Sequence, residues 1–214
     1  MRHGERSDWS GKKVKRRGDT TLTSQGHVQA YQTGKYIKKF LKDKEIKNFR
    51  VYSSPLVRTI QTSCEVSKAL KNSSIKSSMG FVIITIHMIL LKLDEVELHS
   101  MDISEFREHY IPKSKVEIED NEDYIEEMNE TYPEENHLTG ERVVRHSEHF
   151  IDELKNSEDI DAIIAISHWD IVEKFSEYYG NDYKPMDYCA LSCLEINLEN
   201  DENELVLDRH IAYS

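Results

Sequence analysis

The chain has 214 residues, enough to bury a substantial core as a single domain over 1–214 without disulfides or metals. Its 28 Lys and Arg against 40 Asp and Glu give a formal net charge of -12, which repels nucleic-acid phosphates and excludes a general nucleic-acid binder. Cys64, Cys189 and Cys193 are an odd number at unrelated spacings, so they read as reduced core thiols rather than a disulfide framework or a zinc knuckle.

In chain order, Met1-Arg2-His3-Gly4-Glu5 opens without an apolar stretch behind it, so no secretory signal is read and the cytoplasm is expected. Thr23 or Ser24 caps a helix over about Gln25 to Lys42, with Ala30, Tyr31, Ile37, Phe40 and Leu41 on one face. Phe49 to Ser54 reads as a strand. It stops at Pro55, which suits the first turn of a following helix to about Leu70 because its missing N–H costs nothing there. Phe81 to Leu91 is the greasiest run, but it carries His87 and falls well short of the roughly 20 apolar residues of a membrane helix. It is expected as a buried segment, and no membrane partner is expected.

Glu117 to Glu135 holds ten acidic residues and no Lys or Arg, a composition expected as an exposed insertion or lid, with a solvated helical face as the alternative. From Thr139 a helical stripe runs through Val143, Ser147, Phe150, Ile151 and Leu154. The continuous apolar run Ala162 to Ile166 then suits a strand covered on both faces. Ser167-His168-Trp169-Asp170 leads into a helix to about Tyr179, and Tyr188 to Leu198 with Glu204 to Leu207 reads as a hairpin. The alternation of strands and helices predicts an α/β three-layer sandwich, a mainly parallel sheet with helices on both faces and an antiparallel edge at the C-terminus.

Three separated pieces end strands or begin helices: Arg2 to Arg6, Ser53 to Arg58, and Ser167-His168. In open α/β sheets ligands bind at the carboxyl ends of strands. Brought together, the pieces would supply three arginines and two histidines, the charge and donors that grip a dianionic phosphoryl group, with Arg58 adding the positive end of its helix. Taken singly, a terminal Arg-His is a solvated tail, and an arginine in a first helical turn is a surface charge.

Arg2-His3-Gly4-Glu5, Leu22-Thr23-x-x-Gly26 with Gln29-Ala30, and Ser53-Ser54-Pro55-x-x-Arg58-Thr59-x-Gln61-Thr62 together resemble the histidine phosphatase (phosphoglycerate mutase-like) superfamily. Arg6-Ser7-Asp8 and Tyr188-Cys189-Ala190 look closest to its phosphatase branch. The resemblance implies a phosphoglycerate mutase-like fold and a metal-independent, histidine acid phosphatase-like enzyme without cofactor, acting on a phosphorylated small molecule or phosphoprotein. It also implies that His3 is the nucleophile, that Arg2, Arg6, Arg58 and His168 hold the phosphoryl oxygens, and that a glutamate in a Leu-x-Glu context is the general acid/base.

Leu93-Asp94-Glu95 offers Glu95 for that role, and Glu97, on the same face of an extended segment, competes with it. Imidazole titrates near about 6.5, and neighbouring arginines should depress His3 and enlarge its neutral, attacking fraction.

Two alternatives share the pocket: a phospho-ligand binding module without turnover, and a mutase that returns the phosphoryl group to a second hydroxyl. Negative charge near the mouth from Glu117 to Glu135 would discourage bisphosphates and favours the phosphatase. His146 and His149, with Glu141, Glu148 and Glu153, offer metal-ligand types, but the stripe puts that face in solvent and no metal site is expected. One departure stands out. In the superfamily a central strand leads into Arg-His, and its residues would precede Met1, so Arg2 and His3 are expected to be poorly anchored unless the sequence is a truncation.

Overall fold

The structure is a computed structural model, and it describes residues 1–9, 20–54, 56–72, 74–77, 117–119, 140–180, 186–197 and 202–213. Helix α1 spans Ser24–Asp43, β1 Phe49–Ser53, α2 Val57–Leu70, β2 Ser74–Ser77 and β3 Glu117–Glu119. They are followed by α3 Gly140–Asn156, β4 Ala162–Ile166, α4 Trp169–Tyr179, β5 Leu191–Ile196 and β6 Asn203–His210.

Four strands pair in the order β3-β2-β1-β4, all parallel, while β5 and β6 form an antiparallel pair. The first three residues join the two sheets. Ala165 accepts from the Met1 amine, Ser167 N–H donates to Met1 and its carbonyl accepts from His3, while Arg2 N–H donates to Ala190 and His3 accepts from Cys189. These bonds reach both sides of Arg2-His3, so the expected poor anchoring is not found: β4 and the segment before β5 grip the two residues from either side.

Alternation along the strands fixes the layers. Val51, Ile164 and Ile166 turn to one face, against Ile37 and Leu41 of α1 and Ile60 and Val66 of α2. Tyr52, Ile163 and Ala165 turn to the other, against Val143 and Phe150 of α3 and Ile171 and Phe175 of α4. A strand covered on both faces must be apolar at every position, and Ala162 to Ile166 is. The result is the three-layer α/β sandwich.

Thr23 caps α1, its hydroxyl accepting from Gly26 N–H at 2.9 Å. Glu117 to Glu119, the start of the expected insertion or lid, form a strand in register with Ser74 to Lys76; residues 120–135 and the Phe81 to Leu91 run lie outside the described residues. Cys64, Cys189 and Cys193 are free, the first two buried. Among the described residues no helix is long and apolar enough to cross a membrane.

Candidate active site

The carboxyl ends of β1 and β4 and residues 1–6 converge at one edge of the sheet. Ser54 N–H donates to Ile166, locking the turn after β1 to the end of β4, and His3 N–H donates to Ser167. His3 and His168 are thereby stacked edge to face, ring centroids 5.4 Å apart. Arg58 enters from the first turn of α2 and is 1% exposed, while His3 is 3% and His168 0% exposed.

The quoted motif residues do not all surround the pocket; several hold the loop that presents it. Gly4 N–H donates to the Thr62 hydroxyl, which donates to the Arg58 carbonyl one turn earlier. Gln29 accepts from Glu5 N–H, Gln61 accepts from Leu22 N–H, and Thr23 N–H donates to the Glu5 carbonyl. The loop and the start of α1 cross at van der Waals distance: a Cβ on Gly4 would stand 2.6 Å from the Gly26 oxygen, and one on Gly26 2.5 Å from that of Glu5. Only hydrogen fits at either position.

His3 Nδ1 lies 2.8 Å from the Gly4 carbonyl oxygen. A carbonyl only accepts, so Nδ1 carries the proton and Nε2 keeps its lone pair. Burial, then the charges of Arg58, Arg2 and Arg6, push the His3 imidazole well below its ordinary value, against a smaller opposing effect of that hydrogen bond. Burial and Arg58 lower His168 likewise. Arginine acts in the expected direction, but dehydration is the larger cause.

His168 is the N-cap of α4, and its Nε2 meets the Ser54 hydroxyl at 2.8 Å. Neither α2 nor α4 has a side-chain cap bond at its N-terminus. Two helix starts therefore bring their positive ends to the pocket together with Arg58.

Arg2 and Arg6 are held rather than loose. Arg2 donates to the Met186 carbonyl at 2.7 Å, and its guanidinium sits 4.2 Å from the centroid of the Tyr188 ring. Arg6 forms a fork with Asp8, at 3.0 Å from Nε and 2.5 Å from Nη2. Tyr188 also touches the His3 ring, centroids 6.0 Å apart. No role for Ser54, Asp8 or Tyr188 follows from the sequence alone. Asp8 was legible as the acidic partner two residues from Arg6, whereas nothing in spacing links Tyr188 to Arg2. Asp170, in the first turn of α4, is a further carboxyl near Arg58, its value pushed up by burial.

Glu95 and Glu97 lie outside the described residues. So do the side chains of His146 and Glu141; His149 and Glu148 are exposed on α3, and Glu153 binds Arg50 and the Tyr52 hydroxyl. No cluster of three or more potential metal ligands occurs among the described residues.

Residues 1–81 match the model of the histidine phosphatase superfamily (branch 1). No curated protein matches the sequence. Among solved structures, a phosphoglycerate mutase from Bacillus anthracis is similar with a TM-score of 0.60 at 13% identity, over 99% of this chain and 92% of that one. An ecdysone phosphate phosphatase from Bombyx mori, solved with tungstate, is similar with a TM-score of 0.59 at 18% identity, over 91% and 86%. A phosphoserine phosphatase from Entamoeba histolytica, solved with phosphoserine, gives 0.53 at 15%, over 99% and 95%. The fold is thus phosphoglycerate mutase-like over nearly the whole chain, and the superfamily's sequence pattern is carried by the first 81 residues.

Proposed function

We propose that the chain is a phosphomonoester hydrolase working through a phosphohistidine on His3. The observation that carries this reading is a buried imidazole kept neutral by burial and Arg58, with Nδ1–H fixed on a carbonyl and the Nε2 lone pair available, beside a second buried imidazole. A nucleophile deprotonated at neutral pH needs no separate base, and the surrounding cations then favour an arriving phosphate dianion.

In the first step His3 Nε2 attacks phosphorus in line and a P–N bond forms as the ester P–O bond breaks. The leaving oxygen takes a proton from a carboxylic acid. In the second, water attacks the phosphohistidine, the carboxylate takes its proton, the P–N bond breaks, and phosphate leaves with His3 neutral again. Arg58, Arg2, Arg6, His168 and the starts of α2 and α4 would hold the non-bridging oxygens. Glu95 is the proposed acid/base, with Glu97 its competitor. The substrate is a phosphorylated small molecule or phosphoprotein, a class to which the phosphoserine and ecdysone phosphate of the similar phosphatases belong. No metal enters either step, and turnover is expected to persist in excess chelator.

The test is p-nitrophenyl phosphate hydrolysis by the parent and His3→Ala, with rapid quench for phosphohistidine. Loss of activity by roughly a thousandfold or more is expected from removing a covalent nucleophile, with acid-labile label only on the parent. Equal rates would overturn the reading. Because His3 is depressed, the acidic limb of kcat/KM should lie below pH 6.5.

A further inference from the structure

The outer face of α1 sorts its side chains along the helix. Val28, Tyr31, Lys35, Lys38, Lys39 and Lys42 recur at helical spacing and are all exposed, so they form one stripe. The opposite face, with Ala30, Ile37 and Leu41, is buried in the core. The upper end of the stripe holds two of the five large apolar side chains exposed among the described residues, Val28 at 51% and Tyr31 at 40%. The lower end is wholly basic, and α1 carries no acidic residue before its last, Asp43.

A merely solvated face would mix signs, because Glu and Lys three or four residues apart support a helix. Here Lys35 and Lys38, and Lys39 and Lys42, stand three apart, while Lys35 and Lys39, and Lys38 and Lys42, stand four apart. All four pairs are repulsive and work against the helix, in a chain with 40 acidic side chains against 28 basic ones. Lys38 Nζ donates to the Ala69 carbonyl at 3.1 Å, which brings the basic end to the last turn of α2, where Lys71 is also exposed. An anion lying along this end would offset the repulsion.

The stripe begins beside the candidate site. The Thr23 N–H bond to Glu5 and the crossing of Gly4 with Gly26 fix the first turn of α1 to the loop that carries His3, and Val28 lies just beyond. From Val28 to Lys42 the helix rises about 21 Å, the span of about six extended residues.

Charge and apolar order select the occupant. A nucleic acid or a lipid surface extends well past a stripe one helix wide, onto a chain whose net charge is -12 and repels it. A helix that lies on a membrane turns its apolar side outward, whereas the apolar side of α1 faces the core. A short peptide that is apolar at one end and acidic at the other matches the stripe end to end.

We propose that the outer face of α1 docks such a segment of a phosphoprotein, whose phosphorylated residue enters the site beside His3. The inference rests on the phosphatase reading and narrows its substrate from phosphomonoesters at large to phosphoproteins with an acidic segment near the phosphorylated residue.

The docking probe is fluorescein-labelled Leu-Phe-Asp-Glu-Glu-Asp, unphosphorylated, titrated into the full chain by anisotropy. Saturable binding that weakens as salt is raised is expected. Lys35→Gln/Lys39→Gln/Lys42→Gln, which keeps Lys38 on Ala69 and should melt no lower than the parent, should bind at least about tenfold more weakly. Val28→Ser/Tyr31→Ser should weaken this peptide but not hexaglutamate. For turnover, phosphoserine or phosphotyrosine is placed four residues ahead of Leu-Phe. The parent should hydrolyse one of these peptides with a KM about tenfold below that for the free phosphoamino acid, and the lysine variant should lose that advantage with its kcat on p-nitrophenyl phosphate unchanged.

Absence of saturable binding, equal binding by parent and lysine variant, or an equal KM for the phosphopeptide in both would each overturn the proposal. So would tighter binding of a single-stranded oligonucleotide or of phosphatidylserine vesicles at the same salt, since the face would then serve another polyanion. If no phosphomonoester at all is hydrolysed, the phosphatase reading fails, and with it the substrate assignment. The anisotropy still decides, without turnover, whether the face docks an acidic peptide.

Discussion

Met1 divides two regions built from the same strands to opposite standards. Ahead of it in the chain, the backbone of Arg2 to Glu5 is bonded on several sides, by Ser167, Ala190, Cys189, Thr62 and Gln29, and the side chains it presents are dehydrated. Behind it, β4 and β5 diverge around a cavity and Ser192 to Leu194 are only half-buried. The contrast teaches what holds the candidate site in place: a short ladder whose flanking elements are themselves locked, here by Ser54 to Ile166 and Thr62 to Gly4.

The sharpest way to break that contrast is to remove charge from the well-built side. Arg58→Ala leaves the ladder intact but takes away the buried cation that depresses both imidazoles. Turnover should fall by roughly a hundredfold to a thousandfold, as for loss of a preorganised charge at a transition state. NMR titration should find His3 and His168 moved up toward ordinary values. Unmoved titrations would show that burial alone holds them.

Stability against pH sharpens it next. His3 and His168 have folded values well below the ordinary 6.5, so the unfolded chain binds more protons wherever pH drops under that value. Their contribution is fully present above pH 6.5 and is lost as pH falls from there toward the depressed values. With about 1.4 kcal/mol per proton per pH unit, the two together predict a slope of up to about 2.7 kcal/mol per unit. Chemical denaturation at a series of pH values measures it, and His168→Asn should roughly halve it.

How much of this was readable beforehand follows the same division. Helices and strands with a strong period appear within a residue or two of expectation: α1, β1, β4 and α4 rest on local caps and continuous apolar runs. The convergence of His3, Arg58 and His168 followed from the rule that ligands sit at strand ends, applied to three pieces of sequence. Tyr188 over Arg2 was not legible, because a contact across more than 180 residues leaves no spacing signal. Nor was the firm grip on Arg2 and His3. The bonds that hold them come from the end of β4 and from Cys189-Ala190, far away in the chain, and leave no local signal around residues 2 and 3.

Gly4→Ala tests the crossing that presents the loop. Its Cβ would stand 2.6 Å from a backbone oxygen of Gly26, an atom that cannot swing aside as a side-chain tip would. Repacking should cost about 1–3 kcal/mol in denaturant unfolding and should also displace His3. A milder loss of stability with full activity would mean that the loop moves freely and that its tight crossing is not what orients the imidazole.

The smallest expected effect isolates a single bond. Thr62 accepts from Gly4 N–H and donates to the Arg58 carbonyl, so one hydroxyl couples the loop that carries His3 to the helix that carries Arg58. Thr62→Val keeps the branched shape and leaves a buried N–H without its acceptor, at a cost of about 1–3 kcal/mol. The helix keeps its own backbone bonds, so Arg58 should stay in place while residues 4–5 loosen. The outcome to look for is a lower kcat on p-nitrophenyl phosphate with an almost unchanged KM, because in the proposed mechanism Arg58 on the helix binds phosphate and His3 on the loop attacks in line. A rise in KM alone would place the coupling on the arginine side instead.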